Sequence, residues 1–265
     1  MRTAEPINYF EVPQAHSGYL GRTVKTTSVC IYGIGHLGSW AARAVVALGI
    51  IDISVHDFDV VEERNISGSI YSYDMIGEFK TYALDDELNN KIRAPQDFIV
   101  GKRHKSLGYA VKGQDCAFPY QTFSDFYIVA TDNAETRHRI VKTIFKHWAL
   151  CGHAPLFADM NPVLIDMRSN GAVMEVISFP VKDIEMQKRY LKSLEEIIEG
   201  ERTSIPCNMA NIPQVPLFES AIVAQIITSH LRGVREYYSY VGSLLDLKTY
   251  PVRFKTENHL PNLEE

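Results

Sequence analysis

Cysteine is scarce in this 265-residue chain: there are four, Cys30, Cys116, Cys151 and Cys207, none near another. No C-x-x-C pair exists to build a tetrahedral thiolate site, so no zinc is expected, and isolated thiols suit a reducing compartment. An excess of basic charge is also lacking. Lys and Arg number 27 against 32 Asp and Glu, a formal net charge of -5. That leaves no broad positive field for a polyphosphate backbone and argues against nucleic acid as the principal partner. No apolar run approaches the roughly 20 residues of a membrane span; the longest, around 41–53, is interrupted by Arg43 and Asp52. The N-terminus does not join a basic cap to an apolar run, so no secretory signal is read and a cytoplasmic protein is expected. Internal repeats and low-complexity tracts are missing as well. What remains, 46% hydrophobic, can bury a full core.

Residues 1–27 carry Pro6, Pro13, Gly18 and Gly21 without helical or strand period, which reads as an irregular N-terminal arm. From Ser28 the pattern sharpens. Val29 to Tyr32 is a short apolar run closed by Gly33. Leu37, Trp40, Ala41, Ala44, Val45 and Leu48 then recur at helical spacing up to Gly49, and a second strand, Ile53 to His56, ends at Asp57. This is a βαβ unit, whose crossover lays its two strands parallel. Further along, the pattern predicts a helix over 79–89, a strand over 126–130, a helix over 134–150 and short strands at 156–158 and 172–179. Between them lies a basic stretch, Lys91 to Lys112, read as a solvated loop rather than a surface for an acidic partner or RNA. An amphipathic helix is expected over 183–199, with Met186, Tyr190, Leu191, Leu194 and Ile198 on one face. Pro206, Pro213 and Pro216 argue against regular structure around Cys207, and a last helix runs from Glu219 to Leu231. The expected fold is α/β: a Rossmann-like, doubly wound sheet, parallel in its first half and mixed in its second. One nucleotide-binding domain spans 28–245, with 181–215 as a crossover segment and 246–265 as a tail.

Gly33-Ile34-Gly35-His36-Leu37-Gly38 has the spacing that lets backbone amides and a helix N-terminus approach phosphates. It comes after a strand, opens a helix, and precedes by 19 residues, counted from Gly38, the acid Asp57 at the end of the next strand. Up to this point the unit also suits a nicotinamide-dependent oxidoreductase, with Asp57 on ribose hydroxyls. Four further segments separate the two: Asp57-Phe58-Asp59-Val60-Val61-Glu62, Asn65-Ile66, Gly77-Glu78-Phe79-Lys80 and Thr131-Asp132-Asn133.

This ordered set resembles the ThiF/MoeB-like adenylyltransferases, the superfamily of the ubiquitin-activating enzymes, over roughly residues 28–150. The resemblance implies attack by a polypeptide C-terminal carboxylate on the α-phosphate of ATP, giving an acyl adenylate and pyrophosphate. It implies that Gly33, Gly35 and Gly38 support the nucleotide, that Asp57 binds the ribose with Asp59 in the same set, and that Asn65 and Lys80 contact the phosphates. Asp132 would hold Mg2+, since a hard cation prefers carboxylate and phosphate oxygen together. The implied partner is a ubiquitin-like or sulfur-carrier protein, or a peptide, and the implied assembly a homodimer. Arg137 matches a family arginine. The segment Pro206-Cys207-Asn208 to Pro213 looks like the catalytic-cysteine segment of ubiquitin-type activating enzymes, so that Cys207 would carry a thioester.

Plainer explanations stand beside these roles. Asp57 and Asp59 can cap a turn, Lys80 can be a solvated helix residue, and Asp132-Asn133 can be an N-cap. Cys30 reads as core, while Cys116 and Cys151 have no motif. His36 reads as a solvent-facing loop residue; His56 and His153 lack partners. The chain also departs from the family pattern. An arginine is usual three residues after the asparagine, where this chain has Gly68, and the segment to Lys80 is one residue short. Loss of a transition-state arginine can cost on the order of a thousandfold in rate. Either Arg64, Arg22 or another arginine substitutes, or the chain is a non-catalytic nucleotide-binding module. The adenylation reading requires Asp57, Lys80 and Asp132 to surround one cavity.

Overall fold

Alternation along the first strand sets the architecture. In β1 (Ser28–Tyr32), Val29 and Ile31 belong to one apolar core, while Cys30 and Tyr32 belong to another on the opposite face. A strand covered on both faces reads as a continuous apolar run, as this one does. The structure, a computed structural model, describes residues 24, 26–50, 52–92, 123–152, 154–171, 173–200, 214–234, 238–243 and 248–253.

The sheet has seven strands in the order β2-β1-β3-β4-β5-β6-β7. β2 (Asp52–His56), β1, β3 (Phe126–Val129) and β4 (Val163–Asn170) are parallel. From there β5 (Val173–Pro180), β6 (Tyr238–Ser243) and β7 (Lys248–Arg253) continue antiparallel. Helices α1 (His36–Ala47), α3 (Lys80–Ile92) and α6 (Gln214–Leu231) cover one face through Ala41, Val45, Leu84, Leu88, Val223 and Ile227. Helices α4 (Ala134–Cys151) and α5 (Ile184–Gly200) cover the other through Val141, Ile144, Trp148, Tyr190 and Leu194. The one-turn α2 (Glu63–Ile66) lies between β2 and α3. The fold is therefore the expected doubly wound α/β sheet, parallel on one side and antiparallel on the other. β2 and β3 flank β1 on opposite sides, which makes the end of β1 a topological switch point, where such sheets bind ligands.

Several elements differ from expectation. The strand predicted at 156–158 is a 3-10 turn, Pro155–Phe157, opened by a proline whose fixed φ suits that position. The strand after α4 is instead β4, whose Asp166 and Arg168 interrupt an otherwise apolar run. α6 starts five residues earlier than predicted, at Gln214, because Pro216 falls in its first turn, where a missing N–H costs nothing. Lys248–Arg253, expected to open the tail, pairs with β6 as the last strand, and Pro251 is tolerated because this strand is an edge. His56 has a partner after all: its ring stacks on Tyr32 at 4.8 Å. Cys30 is buried, as expected. Arg22, Cys116, His153, Cys207 and the basic stretch beyond residue 92 lie outside the described residues, as does all of the N-terminal arm except Val24, Thr26 and Thr27.

Candidate functional site

The turn after β1 is built by backbone contacts that leave no room for side chains. Gly33 adopts φ 80°, and a Cβ there would sit 2.9 Å from the Ala130 carbonyl and the Thr131 nitrogen at the end of β3. A Cβ on Gly38 would come within 1.8 Å of the Gly33 carbonyl oxygen. These two glycines are required by packing of turn against helix and neighbouring strand. Gly35 differs: nothing lies within 4 Å of its absent Cβ, so its exposed side is open to an approaching group. Gly35 caps α1 without a side-chain hydrogen bond, and the first-turn amides of the helix have no intrahelical acceptor.

Two side chains brace this turn. Asp57, just past β2, accepts the Ile34 N–H at 2.8 Å and the Asp59 N–H at 2.9 Å. Tyr71 donates its hydroxyl to the Ile34 carbonyl at 2.6 Å. Tyr71 carried no sequence motif; only the fold brings it here. Burial raises the Asp57 carboxyl above the usual carboxylate range, opposed by the Lys80 ammonium and the two amides.

Lys80 arrives from the start of α3. Asp59 and Val61 pair with the stretch from Gly77 to Lys80 through the Lys80 N–H to Asp59 carbonyl bond at 3.0 Å and the Val60–Phe79 bridge. The ammonium then lies 2.9 Å from Asp59 Oδ2 and 3.9 Å from Asp57 Oδ1, with only 8% of its side chain exposed. A solvated helix lysine is excluded. Asn65 is buried in α2; its side-chain oxygen accepts the Glu62 N–H at 2.8 Å, while Arg64 pairs with Glu62.

Asp132 sits at the carboxyl end of β3, next to the strand end that packs on Gly33, and is exposed. It makes no ion pair among the described residues. Asn133, not Asp132, is the N-cap of α4, accepting the Thr136 N–H at 2.9 Å. Among the described residues no group of three or more His, Cys, Asp or Glu converges on a metal position. A hard cation held here would take the Asp132 carboxylate together with phosphate oxygens, which is the donor set Mg2+ accepts.

Beneath this surface lies a charge cluster that sequence reasoning missed apart from Arg137. Its guanidinium donates to the Thr131 carbonyl and, at 3.1 Å, to the Met167 carbonyl, and lies 3.2 Å from the fully buried Asp166. None of these partners lies on its own helix. Asp166 also pairs with Arg168, which lies 3.4 Å from Glu175. Glu219 of α6 is buried alongside them. Arg137 thus ties the Thr131-Asp132 turn to the middle of the sheet.

The ThiF family description matches residues 17–182. Among curated proteins no significant match is found. Solved structures share the fold at low identity. E. coli MccB with ATP is 15% identical, with a TM-score of 0.61 over 94% of this chain and 72% of that one. E. coli MccB with AMPCPP and selenomethionine-substituted MccA is 16% identical, TM-score 0.60, with the same coverage. Selenomethionine-substituted PaaA is 15% identical, TM-score 0.58, covering 96% of this chain and 85% of its own.

Proposed function

The chain belongs to the ThiF family, and from that premise we propose that it adenylates the C-terminal carboxylate of a polypeptide with ATP. The single observation that carries this is the pairing of Lys80 with Asp59 and Asp57 directly beside the braced glycine turn. A buried ammonium at that place suits a reaction in which two anions must meet. That E. coli MccB has been crystallised with ATP and with MccA supports the choice of nucleotide and of a polypeptide partner.

In this reading the first turn of α1 and the open side of Gly35 receive the phosphates. Asp57 keeps its brace on Ile34 and presents its remaining lone pairs to ribose hydroxyls. Asp59 positions the Lys80 ammonium until a phosphate oxygen takes its place, and the Asn65 amide adds a neutral donor. Asp132 would hold Mg2+, which would supply further charge neutralisation. A carboxylate oxygen attacks the α-phosphorus in line, the bond to the bridging oxygen breaks, and pyrophosphate leaves. The acyl donor is a ubiquitin-like or sulfur-carrier protein or a shorter peptide, and the working unit is a homodimer. Transfer to Cys207 would come next, with the thiolate displacing AMP to form a thioester.

ATP–pyrophosphate exchange tests the reading: label should enter ATP only when a polypeptide with a free C-terminus is present. Exchange that stays at background across such substrates, despite ATP binding, would leave a nucleotide-binding module without turnover. Cys207→Ala should retain exchange and lose any reducible adduct.

A further inference from the structure

We propose that His36 is the phosphate-facing donor at the corner of the site where Gly68 contributes no side chain. The inference rests on the ATP reading and assigns a group to it. His36 is the first residue of α1, at the helix end whose amides have no intrahelical acceptor. It is not the solvent-facing loop residue expected from sequence. Its imidazole lies against Gly68: a Cβ there would stand 2.8 Å from Cδ2, 3.0 Å from Nε2 and 3.2 Å from Cγ. The backbone of Gly68 is pinned as well, because its carbonyl accepts the Trp40 indole N–H at 3.1 Å. A side chain at position 68 fits only if the imidazole shifts, so the departure from an arginine is coupled to the histidine.

The ring's Nε2 is shielded from solvent and has no hydrogen-bond partner. A solvent-shielded ring nitrogen beside backbone carbonyls costs stability until it is protonated and donates to one of them. The groups around it belong to the phosphate corner: the Arg64 and Asn65 carbonyls face the imidazole, and the Lys80 and Arg64 cations act on it. Burial chiefly, and those cations, hold the ring below the ordinary histidine range, so it is neutral in the protein alone. A polyphosphate placed here reverses the balance, and a proton taken from solvent leaves both ring nitrogens as donors, Nε2 for a backbone carbonyl and Nδ1 for a phosphate oxygen.

The test measures MgATP affinity by calorimetry in the full chain, with thermal unfolding alongside. His36→Ala should weaken MgATP at least tenfold, and His36→Gln, which keeps a donor without charge, should fall between. Gly68→Arg alone should lower the Tm through collision with the imidazole, whereas His36→Ala combined with Gly68→Arg should fold and regain affinity over His36→Ala. Wild-type affinity in both His36 variants would overturn the assignment and leave the ring as packing for Gly68; if His36→Ala does not fold, His36→Gln decides alone. Absence of MgATP binding by the unaltered protein would instead refute the nucleotide reading itself.

Discussion

Lys80 and Glu219 are both buried ionisable groups, yet only Lys80 closes ion pairs among the described residues. Lys80 meets two carboxylates at the surface of the glycine turn, so its removal leaves Asp57 and Asp59 facing each other and, on the proposed function, takes away a phosphate contact. Lys80→Ala should cost at least roughly 2 kcal/mol of transition-state stabilisation, about thirtyfold in rate; pyrophosphate exchange measures it. Glu219 has no exposure, and neither of its oxygens closes a hydrogen bond. Burial therefore raises its carboxyl well above the usual range, against the pull of Arg137 and the nearby Glu175 amide and with reinforcement from Asp166. Arg137 and Arg168 face three acids, Asp166, Glu175 and Glu219, so one bound proton makes the cluster neutral. The folded state holds that proton more tightly than the unfolded chain does. Its contribution is therefore full below the unfolded carboxyl pKa and is lost as pH rises toward the folded value. Glu219→Gln should raise the Tm at pH 8, with the gain shrinking toward pH 5; a gain independent of pH would show that the proton is not held there.

At the scale of elements, the glycine turn and β4 do the positioning. Gly38 lets α1 start against the Gly33 carbonyl, and any larger residue must push the helix away from the turn. Gly38→Ala should destabilise by about 1–3 kcal/mol, as overpacking does, and abolish ATP binding, both readable in one thermal-shift titration. β4 is a strand made possible by its neighbours. Asp166 in its middle is tolerable because two guanidinium groups reach it. Asp166→Ala leaves those cations without their carboxylate and should cost about 3–5 kcal/mol, measured by urea unfolding, while freeing the Asp132 turn that Arg137 holds.

For the molecule as a whole, the site is a junction rather than a pocket within one element. The ends of β1, β2 and β3 and the starts of α1 and α3 meet there, so a bound nucleotide links segments far apart in the chain. MgATP at 100 times its Kd should add about 2.7 kcal/mol of stability, a Tm rise of roughly 5–10 °C at this size. Asp132→Ala should keep the fold and the rise seen with ATP alone, but lose the extra increment from Mg2+ and the turnover; an unchanged increment would dismiss the metal role.

The βαβ start, the glycine turn and the acids after β2 were legible because each depends on local rules: strand period, helix period, and glycine where a Cβ cannot fit. The membership of Asp57, Lys80 and Asp132 in one family pattern was legible too, although not the distances between them. β4 was not legible, since Asp166 and Arg168 look like loop residues until Arg137 and Glu175 arrive from elsewhere in the chain. Nor was the position of His36, a loop residue by its neighbours in sequence and a half-buried ring by its neighbours in space. Local pattern determined which elements form and in what order. Only the packed sheet decided which charges share a dielectric, because compensation of a buried charge depends on distances that sequence separation does not encode.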